Sequence, residues 1–166
     1  MKASVITLSD RISRGEAVDI SGETLVKLVE ANGFEILCYR ILPDEKSLIE
    51  RTLIELSDVG SDLILTTGGT GLSLRDVTPE ATIAICDRED PGIADLIRLE
   101  SMKKTPFGSL SRGVSGLRGK TLIINFPGSP KSVEECFSII SPILFHALCM
   151  LKGEGHENEQ YIKGEK

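Results

Sequence analysis

Four apolar runs of strand length divide the chain, at residues 3–8, 34–42, 63–67 and 120–126, and each ends in a polar, turn-forming cluster. Runs this short and this rich in Val, Ile and Thr read as buried strands. Between them, apolar positions recur at helical spacing. Leu25, Leu28 and Val29 mark a helix over 22–32, with Ser21 placed to cap it and Gly33 to stop it. Leu48, Ile49, Thr52, Leu53 and Leu56 mark a second helix, and Asp44 stands where its N-cap belongs. Thr78-Pro79 reads as a third start, threonine as N-cap and proline at the first helical position, for a helix over 79–87. Asp90-Pro91 opens a fourth over 91–103. Residues 105–119 read as loop with at most a short edge strand. The final helix is expected from Ser132, broken or kinked at Pro142 and resumed to Leu151. From Gly153 the chain is charged, polar and without periodicity. The pattern therefore predicts one domain over 1–152 and a frayed tail over 153–166.

Alternation of strands and helices predicts an α/β layered fold with a largely parallel sheet. In such sheets ligands collect beyond the carboxyl ends of the strands. That is where the unusual residues fall: Ser9-Asp10-Arg11, Pro43-Asp44-Glu45, Gly68 to Asp76 and Pro127-Gly128-Ser129-Pro130-Lys131 each follow an expected strand. Four polar, turn-rich motifs would share one rim.

The most informative of them is Thr66-Thr67-Gly68-Gly69-Thr70-Gly71, with three glycines in four residues. Glycine permits positive φ and close approach of a ligand to the backbone, and bare amides in such a turn form an anion-binding concavity. Asp76, an acid beside that cradle, points to a metal ligand. Each candidate also has a plainer reading. Asp44 can be only a helix cap, Asp76 a surface acid and Asp10 a turn or cap residue. Arg112 and Lys131 can form surface salt bridges, and loop hydroxyls such as Thr70, Ser111 and Ser129 often just cap turns.

Composition narrows the classes. The chain has 166 residues, 40% apolar and 27% charged, with a net charge of -6 and pI near 5.0. That balance argues against broad binding to nucleic acid or anionic membranes. No apolar run approaches the length needed to span a bilayer, and Asp10 interrupts any signal-peptide region. The cysteines at 38, 86, 136 and 149 lack C-x-x-C spacing, which fits reduced thiols in a cytoplasm better than zinc or disulfides.

With these motifs in place the chain resembles the molybdopterin adenylyltransferases, the Mog and gephyrin G-domain family of molybdenum-cofactor synthesis. The resemblance runs from Ala3 to Leu151. It rests on Leu65-Thr66-Thr67-Gly68-Gly69-Thr70-Gly71 with Arg75-Asp76-Val77-Thr78-Pro79, and on Ile124-Asn125-Phe126-Pro127-Gly128-Ser129-Pro130-Lys131. Ser9-Asp10-Arg11, Asp87-Arg88-Glu89 and Leu110-Ser111-Arg112 add support. Asp19-Ile20-Ser21-Gly22 is more similar to the gephyrin domain and to a poorly active branch serving molybdenum or tungsten pathways. Leu74 and Phe126 depart from the residues expected at their positions.

What the resemblance implies is a three-layer molybdopterin-binding-like fold, a mixed, mostly parallel sheet between helices, assembled as a homotrimer in the cytoplasm. It implies adenylylation of the terminal phosphate of molybdopterin by ATP and Mg²⁺, with release of pyrophosphate. The family's functional aspartates match Asp44 and Asp76, as catalytic residues and metal ligands. Its phosphate loop matches Gly68, Gly69 and Gly71. Ser9, Asp10, Arg11, Thr67, Thr70, Arg75, Ser111, Arg112, Pro127, Gly128, Ser129 and Lys131 complete the expected substrate and nucleotide contacts. Cofactor-biosynthesis partner proteins are also implied.

The implied chemistry agrees with the residue types. Joining a phosphate monoester to the α-phosphate of ATP brings two polyanions together, so charge neutralisation and alignment dominate. A phosphate monoester has a second pKa near ~6 and is already largely dianionic at neutral pH. It needs no general base, so the placement of His146 on an apolar helix and His156 in the tail is no objection. Mg²⁺ takes one or two carboxylates and fills its shell with water and phosphate. A non-catalytic binding or carrier protein and a trimerising scaffold are the competing readings.

Overall fold

The computed structural model describes residues 1–153. The expected tail, with His156, lies outside the described residues from 154 onward. Six strands form one sheet: β1 Lys2–Leu8, β2 Glu35–Leu42, β3 Leu63–Thr67, β4 Arg88–Glu89, β5 Ser115–Arg118 and β6 Thr121–Phe126, in the order β2-β1-β3-β6-β5-β4. β1 pairs in parallel with β2 and β3, and β3 with β6, whereas β5 and β4 add on antiparallel. The sheet is therefore mixed, and the four parallel strands all end on one rim.

Side-chain alternation divides the core between the two faces. Ala3, Val5, Leu63, Leu65, Leu122, Ile124 and Phe126 point to the face covered by α2 Ile20–Ala31, α5 Pro91–Lys104 and α6 Pro130–Lys152. Ile6, Leu8, Ile64 and Ile123 point to the other, under α3 Lys46–Asp58 and α4 Thr78–Ile85. Helices on both faces make the three-layer arrangement, and a parallel sheet buried on both sides accounts for strands that are apolar throughout.

Several local expectations are overturned by tertiary contacts. A one-turn helix, α1 Asp10–Ser13, follows β1 and is capped by Ser9, whose hydroxyl accepts from the Ile12 amide at 3.3 Å. α2 is capped by Asp19 rather than Ser21: the Asp19 carboxylate accepts the Gly22 amide at 2.8 Å. The N-cap of α3 is Glu45, and Asp44 turns its carboxylate elsewhere. Thr78 does not cap α4 either, because its hydroxyl donates to the Gly68 carbonyl at 3.0 Å.

β4 lies in the gap between the helices expected over 79–87 and 91–103, where no strand was expected, and Ser115–Arg118 realises the edge strand expected between 105 and 119. α6 begins at Pro130 behind the Ser129 cap and runs without a break through Pro142. Ile140 and Leu144 are buried on either side of that proline; packing against the sheet outweighs a penalty of about 3 kcal/mol for an interior proline. By length and hydropathy alone α6 is long and apolar enough to cross a bilayer, contrary to the sequence expectation, but its inner face is part of the core. Cys136 and Cys149 are buried in the core, and Cys38 and Cys86 are half-buried beside it.

Candidate active site

The parallel strands deliver Ser9-Asp10, Asp44, the glycine turn and Pro127-Gly128 to the same rim. Gly68 and Gly69 adopt φ of +100° and +61°, and a side chain at either would run into neighbours: the Leu8 carbonyl at Gly68, and the Thr78 hydroxyl at Gly69. Gly128 packs against Gly68, where even a Cβ would come within 3.2 Å of the Gly68 Cα. These glycines allow three loops to meet with no side chains between them.

The turn is held from behind. Its amide at Gly68 donates to the Phe126 carbonyl at 3.1 Å, and the Gly69 and Thr70 carbonyls accept the amides of Thr78 and Arg112 at 3.2 and 2.9 Å. Thr67 donates its hydroxyl to the Pro127 carbonyl at 2.8 Å, joining the turn to the loop after β6.

Two cavities flank this seam. The larger, about 470 Å³, lies between the glycine turn, Ser111, the Pro127–Ser129 loop and α5, with Phe107 at its wall. The smaller, about 250 Å³, contains Asp44, Ser9 and Thr67 and reaches Thr7 and Ser21. Gly68, Gly69, Asp76 and Gly128 line both. Asp44 and Asp76 therefore face one space, with Asp76 at the junction of the two.

The acids occupy different environments. Asp44 Oδ2 accepts the Asp10 amide at 3.0 Å, while Asp44 Oδ1 is buried without a hydrogen-bond partner among the described residues. Burial pushes the Asp44 carboxyl above its ordinary range, against the pull of the Asp10 amide, and the charges of Asp10 and Asp76 push it the same way. Asp76 Oδ2 accepts the Ser73 amide at 2.9 Å. Asp10 is the reverse case: its hydrogen-bonded Arg75 holds it below the usual carboxylate range.

The expected cations separate into two kinds. Arg75 forms a two-pronged pair with Asp10, at 2.9 and 2.8 Å. Arg112 points inward, donating to the carbonyls of Gly71 at 2.7 Å and Asp76 at 2.5 Å and pairing with Glu80. Arg11 and Lys131 are exposed and have no ion-pair partner among the described residues. Asp10, Arg11, Arg75 and Lys131 line neither cavity, and Arg112 lines a separate, shallow depression beside Leu74.

Some lining residues escaped sequence reading. Ser21 belongs to the Asp19-Ile20-Ser21-Gly22 motif, which marked it only as a cap. Thr7 is the last polar side chain of β1 before the rim, a position whose meaning depends on which face it takes. Arg98 and Phe107 enter the larger cavity from α5 and the 3-10 turn Pro106–Leu110, and nothing in their local sequence distinguishes them.

Comparison with known proteins gives concordant matches. Residues 4–146 match the family described as probable molybdopterin binding domain. The chain is 42% identical over 164 residues to the molybdopterin adenylyltransferase of Helicobacter pylori strain 26695, covering 96% of this chain and 93% of that protein. It is 42% identical over 139 residues to the molybdopterin adenylyltransferase of Escherichia coli K12, covering 81% and 71%. Among solved structures it superposes on the molybdopterin biosynthesis enzyme MoaB of Thermus thermophilus with a TM-score of 0.87 and 46% identity, covering 92% of this chain and 96% of that one.

Proposed function

Since the chain belongs to the molybdopterin-binding domain family of molybdenum-cofactor biosynthesis, we propose that it is a nucleotidyltransferase that adenylylates molybdopterin. The reaction joins the terminal phosphate oxygen of molybdopterin to the α-phosphorus of ATP and expels pyrophosphate. The observation that carries this reading is the pair of cavities sharing Gly68, Gly69 and Asp76, with Asp44 beside the junction. A transfer between two phosphorylated compounds needs two compartments that meet at the reacting phosphates.

Asp44 and Asp76 are the residues that would hold Mg²⁺. The donor set fits a hard cation, since the Asp44 Oδ1 is a buried carboxylate oxygen with no hydrogen-bond partner among the described residues. When bound, the ion supplies neutralisation of the phosphate charge that resists the approach of the two substrates. The glycine turn gives the phosphates backbone room, and Arg11 and Lys131, which lack ion-pair partners among the described residues, supply positive charge at the rim. The incoming phosphate is already dianionic, so no side chain has to remove a proton from it.

On this reading the protein is a cytoplasmic homotrimer that exchanges its pterin with partner proteins. A second reading, binding of molybdopterin without transfer, is favoured by the family description, which names binding alone, together with the Asp19-Ile20-Ser21-Gly22 motif. One measurement separates them: pyrophosphate release by purified protein with ATP, Mg²⁺ and molybdopterin. Release that requires all three supports the transferase. Tight molybdopterin binding with no pyrophosphate supports the carrier.

A further inference from the structure

Asp10 and Asp44 are bonded reciprocally. The Asp10 amide donates to Asp44 Oδ2 at 3.0 Å, and the Asp44 amide donates to Asp10 Oδ1 at 3.1 Å. The loops after β1 and β2 are thereby locked to each other at the residue expected to carry the metal. The same Asp10 carboxylate receives both prongs of Arg75. Arg75 immediately precedes Asp76, within a tight turn. The Asp76 amide donates to the Ser73 carbonyl at 3.0 Å, the Ser73 amide to Asp76 Oδ2 at 2.9 Å, and the Arg75 amide to the Ser73 hydroxyl at 3.2 Å. A turn bonded internally in this way moves as a unit, so holding Arg75 holds Asp76.

We propose that Asp10 is a positioning residue: one carboxylate ties the Asp44 loop to the turn carrying Asp76 and so sets the separation of the two acids across the cleft. Asp10 lines neither cavity and does not act on substrate there. Its carboxylate contributes the acceptor that the Asp44 amide and Arg75 share, while its backbone amide, which any residue there supplies, occupies Asp44 Oδ2 and leaves Oδ1 beside Gly69, where a Cβ would lie 3.0 Å from it. The tie is needed because Asp44 and Asp76 are like charges in a partly buried space and separate when unrestrained. Arg75 opposes that tendency, bringing a positive charge to the group while leaving the cavity itself clear. Reacting groups misplaced by about 1 Å lose on the order of 10²-fold in rate, so a clamp outside the cavity is worth its residues.

The kinetic part of the test rests on the adenylyl-transfer reading, and the spectroscopic part does not. In ¹⁵N-labelled full-length protein the Arg75→Gln change, which leaves the Asp10–Asp44 bonds in place, is expected to shift the Asp44 amide as well as that of Asp76. Asp10→Asn keeps an acceptor for the Asp44 amide and should perturb Asp76 more than Asp44, whereas Asp10→Ala perturbs both. In the pyrophosphate assay, Asp10→Ala and Arg75→Gln should lower kcat by about 10- to 100-fold, as removal of a residue that orients a metal ligand does, with KM for both substrates near wild type.

An Asp44 amide unmoved by Arg75→Gln overturns the tie. A raised KM with unchanged kcat also overturns it, and would make Asp10 a substrate-binding residue. Should wild-type protein release no pyrophosphate, the activity reading fails, and the amide shifts alone decide the positioning role. Should Asp10→Ala fail to fold, Arg75→Gln carries both measurements.

Discussion

Arg112 donates its Nε–H to the carbonyl of Gly71 at 2.7 Å, bridging 41 positions of sequence to hold the end of the glycine turn. With its bond to the Asp76 carbonyl and its pairing with Glu80, this arginine is a brace for the loop. Its donors are spent on protein atoms. Arg112→Lys keeps the charge and loses the fork, so it should cost about 1.5–3 kcal/mol of stability, the range for hydrogen bonds made by charged groups. Urea unfolding of the two proteins measures this. Unchanged stability would return Arg112 to the role of a solvated cation.

Arg11 and Lys131 should behave in the opposite way. Neither braces anything, so Arg11→Ala and Lys131→Ala are expected to move stability by less than about 0.5 kcal/mol. If each contributes one charge-assisted contact to substrate phosphate, its loss raises the corresponding KM by about tenfold. Steady-state kinetics at two salt concentrations check this, since a rim contact weakens as ionic strength rises.

Asp44→Asn should melt higher than wild type while losing activity. A carboxyl whose folded pKa is raised adds stability only below its unfolded pKa, and that contribution is lost as pH rises through the folded value. Burial, with the charges of Asp10 and Asp76, raises Asp44. In magnesium-free buffer at pH 7 the charged Asp44 therefore weakens the fold, and a neutral amide of the same shape removes that burden. The gap in melting temperature should close as pH falls below the ordinary aspartate value of about 3.9, where Asp44 is itself protonated. Turnover should fall by at least about 100-fold, since loss of a metal ligand costs no less than loss of a group that orients one.

Gly69→Ala tests the loop geometry without touching charge. The φ of +61° and the Thr78 hydroxyl in the way of any Cβ make the substitution strained. A loss of about 1–3 kcal/mol is expected, with reduced turnover because Asp44 Oδ1 is the next neighbour. Thermal melts with parallel activity measurements decide it. An alanine variant as stable and active as wild type would mean that the turn does not hold this conformation.

The buried thiols predict an alkaline limit. Burial pushes both Cys86 and Cys136 up to about 11. Their contribution is full below the unfolded thiol pKa of about 8.5 and disappears as pH rises through about 11. Melting temperature should fall over that interval, and the fall should be shallower in Cys86→Ala. Ultraviolet titration of thiolate absorbance in folded protein gives the midpoint directly.

The sequence alone determined the parallel strands, their helical partners and the rim on which the polar motifs meet. Those features are written in runs of apolar residues and in glycine and proline punctuation, and both depend on neighbours only a few positions away. Asp76 was legible as a candidate ligand from its place after the glycine turn, whereas Asp44 read locally as a helix cap and was paired with Asp76 only by the resemblance to the adenylyltransferases. Only the tertiary structure decided what the polar side chains do there. Asp44 and Thr78 are locally plausible helix caps, yet Asp44 bonds Asp10 across 34 positions and Thr78 bonds Gly68 across ten. Arg75 and Arg112 find partners 65 and 41 positions away, and Pro142 stays within a helix because the core holds both sides of it. A hydrogen bond or ion pair is worth only about a kcal/mol in any one place, so which of several local options a side chain takes is settled by what the fold brings beside it.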